Sequence, residues 1–139
     1  MNWYRTSALD SVRFIVGESV LPYYNAAMKI ARAGGITILR DKELFAAALS
    51  GRQVIGAAWE SWQGNDYSFD VAVDKAWQNR GVGGKLSDLC IREFDEIKEA
   101  YGEEARMHIH VVNPIMEHVL QNRGFTKDPT MNGIFYARQ

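Results

Sequence analysis

Apolar positions along the chain follow two periods, and the switch between them organises the fold. Val82, Leu86, Leu89, Cys90, Phe94, Ile97 and Tyr101 recur at three- and four-residue steps, one stripe of a long amphipathic helix. Just upstream, over Tyr67 to Val73, the β-branched Val71 and Val73 alternate with smaller or polar neighbours, which suits a pleated strand. Leu44 to Leu49 and Gln53 to Trp62 read as two further strands joined through Ser50-Gly51-Arg52, and Gln63-Gly64-Asn65-Asp66 turns the chain into the third. Three consecutive hairpin-linked strands predict an antiparallel meander. Ala46-Ala47-Ala48 and Ala57-Ala58 are weak strand formers, so tertiary context has to supply what propensity does not.

The flanks are less regular. Trp3, Tyr4 and Arg5 form a short strand candidate. Ser7 followed by Asp10 resembles a capping box with Asp in place of Glu or Gln, and Leu9, Val12, Val16 and Val20 then have helical spacing. Pro22 breaks or restarts that helix, and a second one from about Tyr23 to Ala33 stops at Gly34-Gly35. Tyr23 and Tyr24 face a ligand or, by default, pack. Ile36 to Leu39 alternates like a short strand. After the central helix Gly102 supplies a stop, and Ala105 to Val112 reads as a strand with His108 and His110 on one face and Met107, Ile109 and Val111 on the other. A strand-helix-strand unit predicts a right-handed parallel crossover. Asn113-Pro114 starts a helix with Ile115, Met116, Val119 and Leu120 on its apolar side, and Arg123-Gly124-Phe125 ends it. Asp128-Pro129 and Asn132-Gly133 are turn signals before a last strand, Ile134 to Ala137.

Composition bounds the class. A chain of 139 residues with 47% hydrophobic positions suits one domain with a real core. The net charge of −1 gives no global basic field, which argues against nucleic acid. Cys90, the only cysteine, lies on the apolar stripe, so it reads as a packed core thiol and not as a nucleophile. No apolar run is long enough to cross a membrane and the N-terminus lacks a signal-peptide pattern, so a cytoplasmic protein is expected.

The chemistry concentrates where the period changes. Between strand and helix lies a turn with Gly81, Gly83 and Gly84, where a ligand can approach the main chain closely. The first turn of a helix has unpaired N–H groups and a partial positive charge, so the turn predicts an anion site, most naturally for phosphate. The P-loop pattern would need Gly at position 79 and Ser or Thr at position 86, where the chain has Asn79 and Leu86. The dinucleotide fingerprint would need a glycine in place of Leu86. What remains, Gln78-Asn79-Arg80-Gly81-Val82-Gly83, resembles the acetyl-CoA pyrophosphate loop of the GCN5-related N-acetyltransferase (GNAT) superfamily. The predicted element order, the opening Tyr4-Arg5-Thr6 to Asp10, and Asn113 to Phe125 extend the resemblance over nearly the whole chain.

The resemblance implies a mixed α/β fold: a central, mostly antiparallel twisted sheet, helices on both faces, and a splayed parallel pair formed by the strand before the glycine turn and the strand after the central helix. It implies acetyl-CoA as cosubstrate and direct acetyl transfer to a primary amine of a small molecule, peptide or protein, without a metal. Val71 and Val73 would pair with the pantetheine arm through main-chain groups, and Gln78, Asn79, Arg80, Gly81, Val82, Gly83 and Gly84 would wrap the pyrophosphate. Arg80 and Lys85 would add positive charge or remain solvated, and Asn113 would approach from the far side. Many family members protonate the leaving sulfur with a Tyr where this chain has Leu120, which cannot donate a proton. The family's usual base position falls near Tyr67, a poor base at neutral pH; Asp70, Glu60, His108 and His110 are the other candidates. The two histidines lack a third ligand by sequence, so no metal site is read. Trp59 and Trp62 would line an aromatic acceptor pocket, sit in the core, or form a homodimer surface. Two other readings stand beside the enzyme: a catalytically weak or inactive protein of the same fold that binds coenzyme A or a protein partner, and a modifier of nucleic acid or ribonucleoprotein, which the charge disfavours.

Overall fold

The computed structural model describes residues 11–101, 104–110, 114–127 and 135–138. Trp3 to Asp10, Gly102, Val111 to Asn113 and the turn signals at 128–133 lie outside them. Strands β1 (Val12–Val16), β2 (Glu43–Ser50), β3 (Gln53–Gln63), β4 (Asp66–Val73), β5 (Arg106–His110), β6 (Thr126–Lys127) and β7 (Phe135–Arg138) form one sheet in the order β1-β2-β3-β4-β5-β7-β6. Every neighbouring pair is antiparallel except β4 and β5, which run parallel. Helices α1 (Tyr24–Ala33), α2 (Val82–Tyr101) and α3 (Pro114–Gln121) complete the fold. Among the described residues no helix is long and apolar enough to cross a membrane.

The first strand corrects the sequence reading. Val12 to Val16 is not helical: it pairs with β2 from Val12 opposite Ser50 to Val16 opposite Ala46. A four-residue spacing fits a helical stripe, but it is also twice the strand period, and the run VRFIV is rich in β-branched and aromatic residues. Residues 17–23 then form a 3-10 helix that contains Pro22, and α1 follows directly. Residues 36–39 form no strand; Ile36 and Ile38 instead pack beneath α1, so their alternation reflects one side resting on the core.

Alternation along the meander divides the core between two faces. Ala57, Trp59 and Ala72 meet Ala27 and Ala31 of α1. Ala46, Ala58, Tyr67, Phe69 and Val71 face the other way, toward Val82, Leu86, Cys90 and Phe94 of α2. The alanines are fully buried, which explains strands built against propensity: small side chains in the middle strands let helices lie close on both sides. Gly56 of β3 is the tightest such point. A β-carbon there would lie 3.0 Å from side-chain atoms of both Leu86 and Val82, at the start of α2. The α1 end is closed by a Schellman cap, with Ile36 N–H on the Ala31 carbonyl (2.9 Å) and Gly35 N–H on that of Arg32 (3.0 Å).

Candidate functional site

Strands β4 and β5 pair only at Asp66 with Arg106 and at Tyr67 with Met107. Beyond that point β4 continues to Val73 and β5 to His110 with no further paired residues among those described. The divergence opens a cleft of about 1040 Å³ between Phe69 to Val73 on one side and Ile109, Met116 and Val119 on the other. Hydrogen bonding decides which β4 groups face it. Asp74 N–H bonds to the Ile55 carbonyl at 2.8 Å on the β3 side, and the Asn65 carbonyl accepts from Arg106 N–H at 2.8 Å on the β5 side. Alternation then turns the main-chain groups of Phe69, Val71 and Val73 toward the open cleft. Of these, the Val73 carbonyl is taken by the Gln78 amide at 3.1 Å.

The glycine turn closes one end of the cleft. Asp74 caps a short 3-10 turn by accepting Ala76 N–H at 2.9 Å. The chain then passes through the left-handed region at Asn79 (φ 63°) and Gly81 (φ 91°), tolerated by Asn and free for Gly. The first helical bond is Lys85 N–H to the Gly81 carbonyl, 3.0 Å. The amides from Asn79 to Gly84 therefore precede the helical ladder, and they donate to no partner among the described residues. Gln78, Asn79, Gly81, Gly83 and Gly84 all line the cleft. A row of free N–H groups at the positive end of a 20-residue helix suits a diphosphate.

Surrounding residues hold the turn. Arg80 stacks on Trp77, its guanidinium carbon 5.0 Å from the ring centroid. Val82 contributes only its amide, because its side chain is in the core. Lys85 is exposed and does not line the cleft. Arg123 clamps α3 to α2, donating to Asp88 Oδ2 at 3.1 Å and to the Val119 carbonyl at 2.9 Å. A β-carbon on Gly84 would lie 2.8 Å from Arg123 Nη2, so this glycine makes room for the clamp.

Solved structures have the same architecture. The chain is similar to an acetyltransferase of the GNAT family from Staphylococcus aureus Mu50 (TM-score 0.66, 16% identity, 92% of this chain and 98% of that one). It is similar to an N-acetyltransferase from the same organism (TM-score 0.69, 11% identity, 91% and 96%). It is also similar to the PaiA N-acetyltransferase of Thermoplasma acidophilum, solved in complex with coenzyme A (TM-score 0.63, 12% identity, 91% and 97%). The fold is that of the GNAT acetyltransferases. At these identities the likeness shows the fold alone. No protein-family model and no curated protein sequence matches the chain.

Within this acetyltransferase fold, the acid–base candidates separate into distinct places. Asp70 lines the cleft. On the α1 face, Lys42 Nζ donates to Ser68 Oγ at 2.6 Å and lies 3.4 Å from Asp70 Oδ2, and Ser61 Oγ lies 3.2 Å from Ser68 Oγ. Lys42 was not legible as a site residue: it sits on a loop, where periodicity gives no signal, 26 positions from Ser68. Glu60 and Tyr67 meet on the α2 face instead, where the Tyr67 hydroxyl donates to Glu60 Oε1 at 2.8 Å. Tyr67 is fully buried against Trp62 and Phe94. Burial, with nearby Cys90 and Glu60, pushes its hydroxyl far above the usual tyrosine range. Burial also raises the Glu60 carboxyl and the Cys90 thiol.

Trp59 is fully buried beside α1, which makes it core and not an acceptor-pocket wall, and Trp62 stacks on Phe94 at 5.9 Å. His108 Nδ1 lies 3.7 Å from Asp66 Oδ1 at the closed end of the strand pair. The His110 side chain and Asn113 lie outside what the structure describes. Leu120 is buried. Among the described residues, no three His, Cys, Asp or Glu side chains gather as a metal site.

Proposed function

We propose that the chain binds acetyl-CoA and transfers its acetyl group to a primary amine. The observation that carries this reading is the run of amides from Asn79 to Gly84, without partners among the described residues, at one end of a cleft walled by a β4 edge that those residues leave unpaired beyond Tyr67. Those amides would hold the pyrophosphate, and the outward main-chain groups of Phe69 and Val71 would pair with the pantetheine amides. When bound, acetyl-CoA supplies an activated thioester.

The chain's own contribution is then orientation and proton handling. A strand N–H at the splayed edge offers a donor for a developing oxyanion. Asp70 is the candidate for receiving the acceptor's ammonium and its proton, because it lines the cleft while Glu60 is bonded to Tyr67 beneath α2. Leu120 offers no proton, so the departing sulfur would take one from solvent. Lys42, held by Ser68 and Asp70, is a model for how an acceptor ammonium would sit there.

Two features favour the second reading, a weak or inactive coenzyme A binder: Leu120 offers no acid, and Lys42 already occupies Asp70. Thiol release from acetyl-CoA across a panel of primary amines separates the readings. Amine-dependent release supports the transferase. Saturable binding of acetyl-CoA with no release in any amine supports the binder.

A further inference from the structure

On the α1 face, next to the cleft, lies a second cavity of about 580 Å³. Its apolar lining comes from Ile30 and Ala33 of α1 and from Val54 of β3. Three cations from three elements stand around it: Lys29 from α1, Arg52 from the β2–β3 turn, and Lys75 from the short 3-10 turn after β4. None of the three has a carboxylate or hydrogen-bond partner among the described residues. Among the described residues Asp74 is the one acid on the cavity wall; its Oδ1 accepts Ala76 N–H, and the carbonyls of Ile30, Ala31 and Arg32 accept from the helix cap, which leaves three cations against one carboxylate. In a chain with 16 basic and 17 acidic residues, three cations without a partner among the described residues, set against the single carboxylate of Asp74, are a local excess of positive charge.

We infer that this cavity is a binding site for a small organic oxyanion, a phosphate monoester or carboxylate attached to an apolar body. The charge excess recognises the anionic head, and Ile30, Ala33 and Val54 take the body. The volume is that of a small-molecule pocket. The cavity shares Gly34, Val73 and Gln78 with the cleft, so an occupant would abut the glycine turn without using its amides. The inference is independent of acetyl transfer.

The test is an amide-resolved NMR titration of the whole chain with phenyl phosphate, benzoate and uncharged benzyl alcohol, at low salt and at high salt. The expected result is saturable shifts at Lys29, Ile30 and Val54 with the charged probes. Binding should weaken about tenfold at high salt and at least about tenfold in the folded triple variant Lys29→Ala, Arg52→Ala, Lys75→Ala. Tighter binding of phenyl phosphate than of benzoate identifies a phosphate ligand, and the reverse identifies a carboxylate. Shifts confined to residues 79–84, equal binding of benzyl alcohol, undiminished binding in the triple variant, or no saturable shift would each overturn the assignment.

Discussion

Lys42 Nζ lies 3.4 Å from the Asp70 carboxylate, with the lysine side chain only 8% exposed and the aspartate 26%. The pair joins the loop after α1 to the cleft wall, at the strand where the sheet splays. It also gives Asp70 two settings at once, anchoring a mostly buried lysine and lining the cleft.

Asp70→Asn tests both roles. The substitution keeps an acceptor oxygen but leaves Lys42 without its counter-charge in a mostly dry place, which costs about 1–3 kcal/mol of stability. If Asp70 receives the acceptor's proton, kcat falls by roughly 10²–10⁴-fold, while the dissociation constant for acetyl-CoA stays within about twofold. Denaturant melts, steady-state kinetics and calorimetry read the three quantities separately. Unchanged kcat in a folded variant would remove Asp70 from the chemistry.

Glu60 gives a pH signature of stability. Burial raises its carboxyl above the usual range, the Tyr67 hydrogen bond partly offsets this, and Glu93 and Glu43 raise it further. A folded value above the unfolded one favours the protonated form on folding. The stability it contributes is therefore complete below the ordinary glutamate range, about pH 4.3, and is lost as pH rises through the folded value. Glu60→Gln stays neutral and still accepts from Tyr67. The variant should be more stable than the parent at pH 8, with the difference vanishing below about pH 4. Urea denaturation across this range measures it, and a pH-independent difference would contradict the assignment.

Gly56→Ala should act on the site from a distance. Its added methyl meets Leu86 Cδ1 and Val82 Cγ1 at 3.0 Å and the Ala72 carbonyl oxygen at 3.3 Å, so α2 has to shift at the end that carries the glycine turn. Overpacking of this kind costs about 1–3 kcal/mol. Acetyl-CoA affinity should fall along with stability, a coupling that melting and calorimetry on the same sample would reveal.

The sequence made the middle of the chain readable and the edges less so. Strands β2 to β4 and helix α2 were legible because strong turn residues bound each run and the apolar period changes cleanly at Trp77 to Gly81. The turn itself was legible because the glycine spacing falls where the strand signal ends and the helix signal begins. Strand β1 was misread because the spacing of Val12, Val16 and Val20 is compatible with both periods; only its partner, β2, decides. Tyr67 and Glu60 were found as separate candidates, but their bond to each other depends on the β3–β4 register, in which Tyr67 lies opposite Trp62. Lys42 was invisible because a loop residue's partners are set by where the loop crosses the sheet.

Calorimetric titration of acetyl-CoA into the chain and into Gly83→Val addresses the central claim most directly. A β-carbon at Gly83 meets Val73 Cγ2 at an ordinary 3.5 Å, so the fold has room for a side chain there, while valine's extra methyls would crowd the cleft beside the free amides. The expected result is one-to-one saturable binding to the parent, weakened at least about tenfold in the folded variant. No heat of binding to the parent, or the same affinity in both proteins, would contradict the assignment of residues 79–84 to the diphosphate.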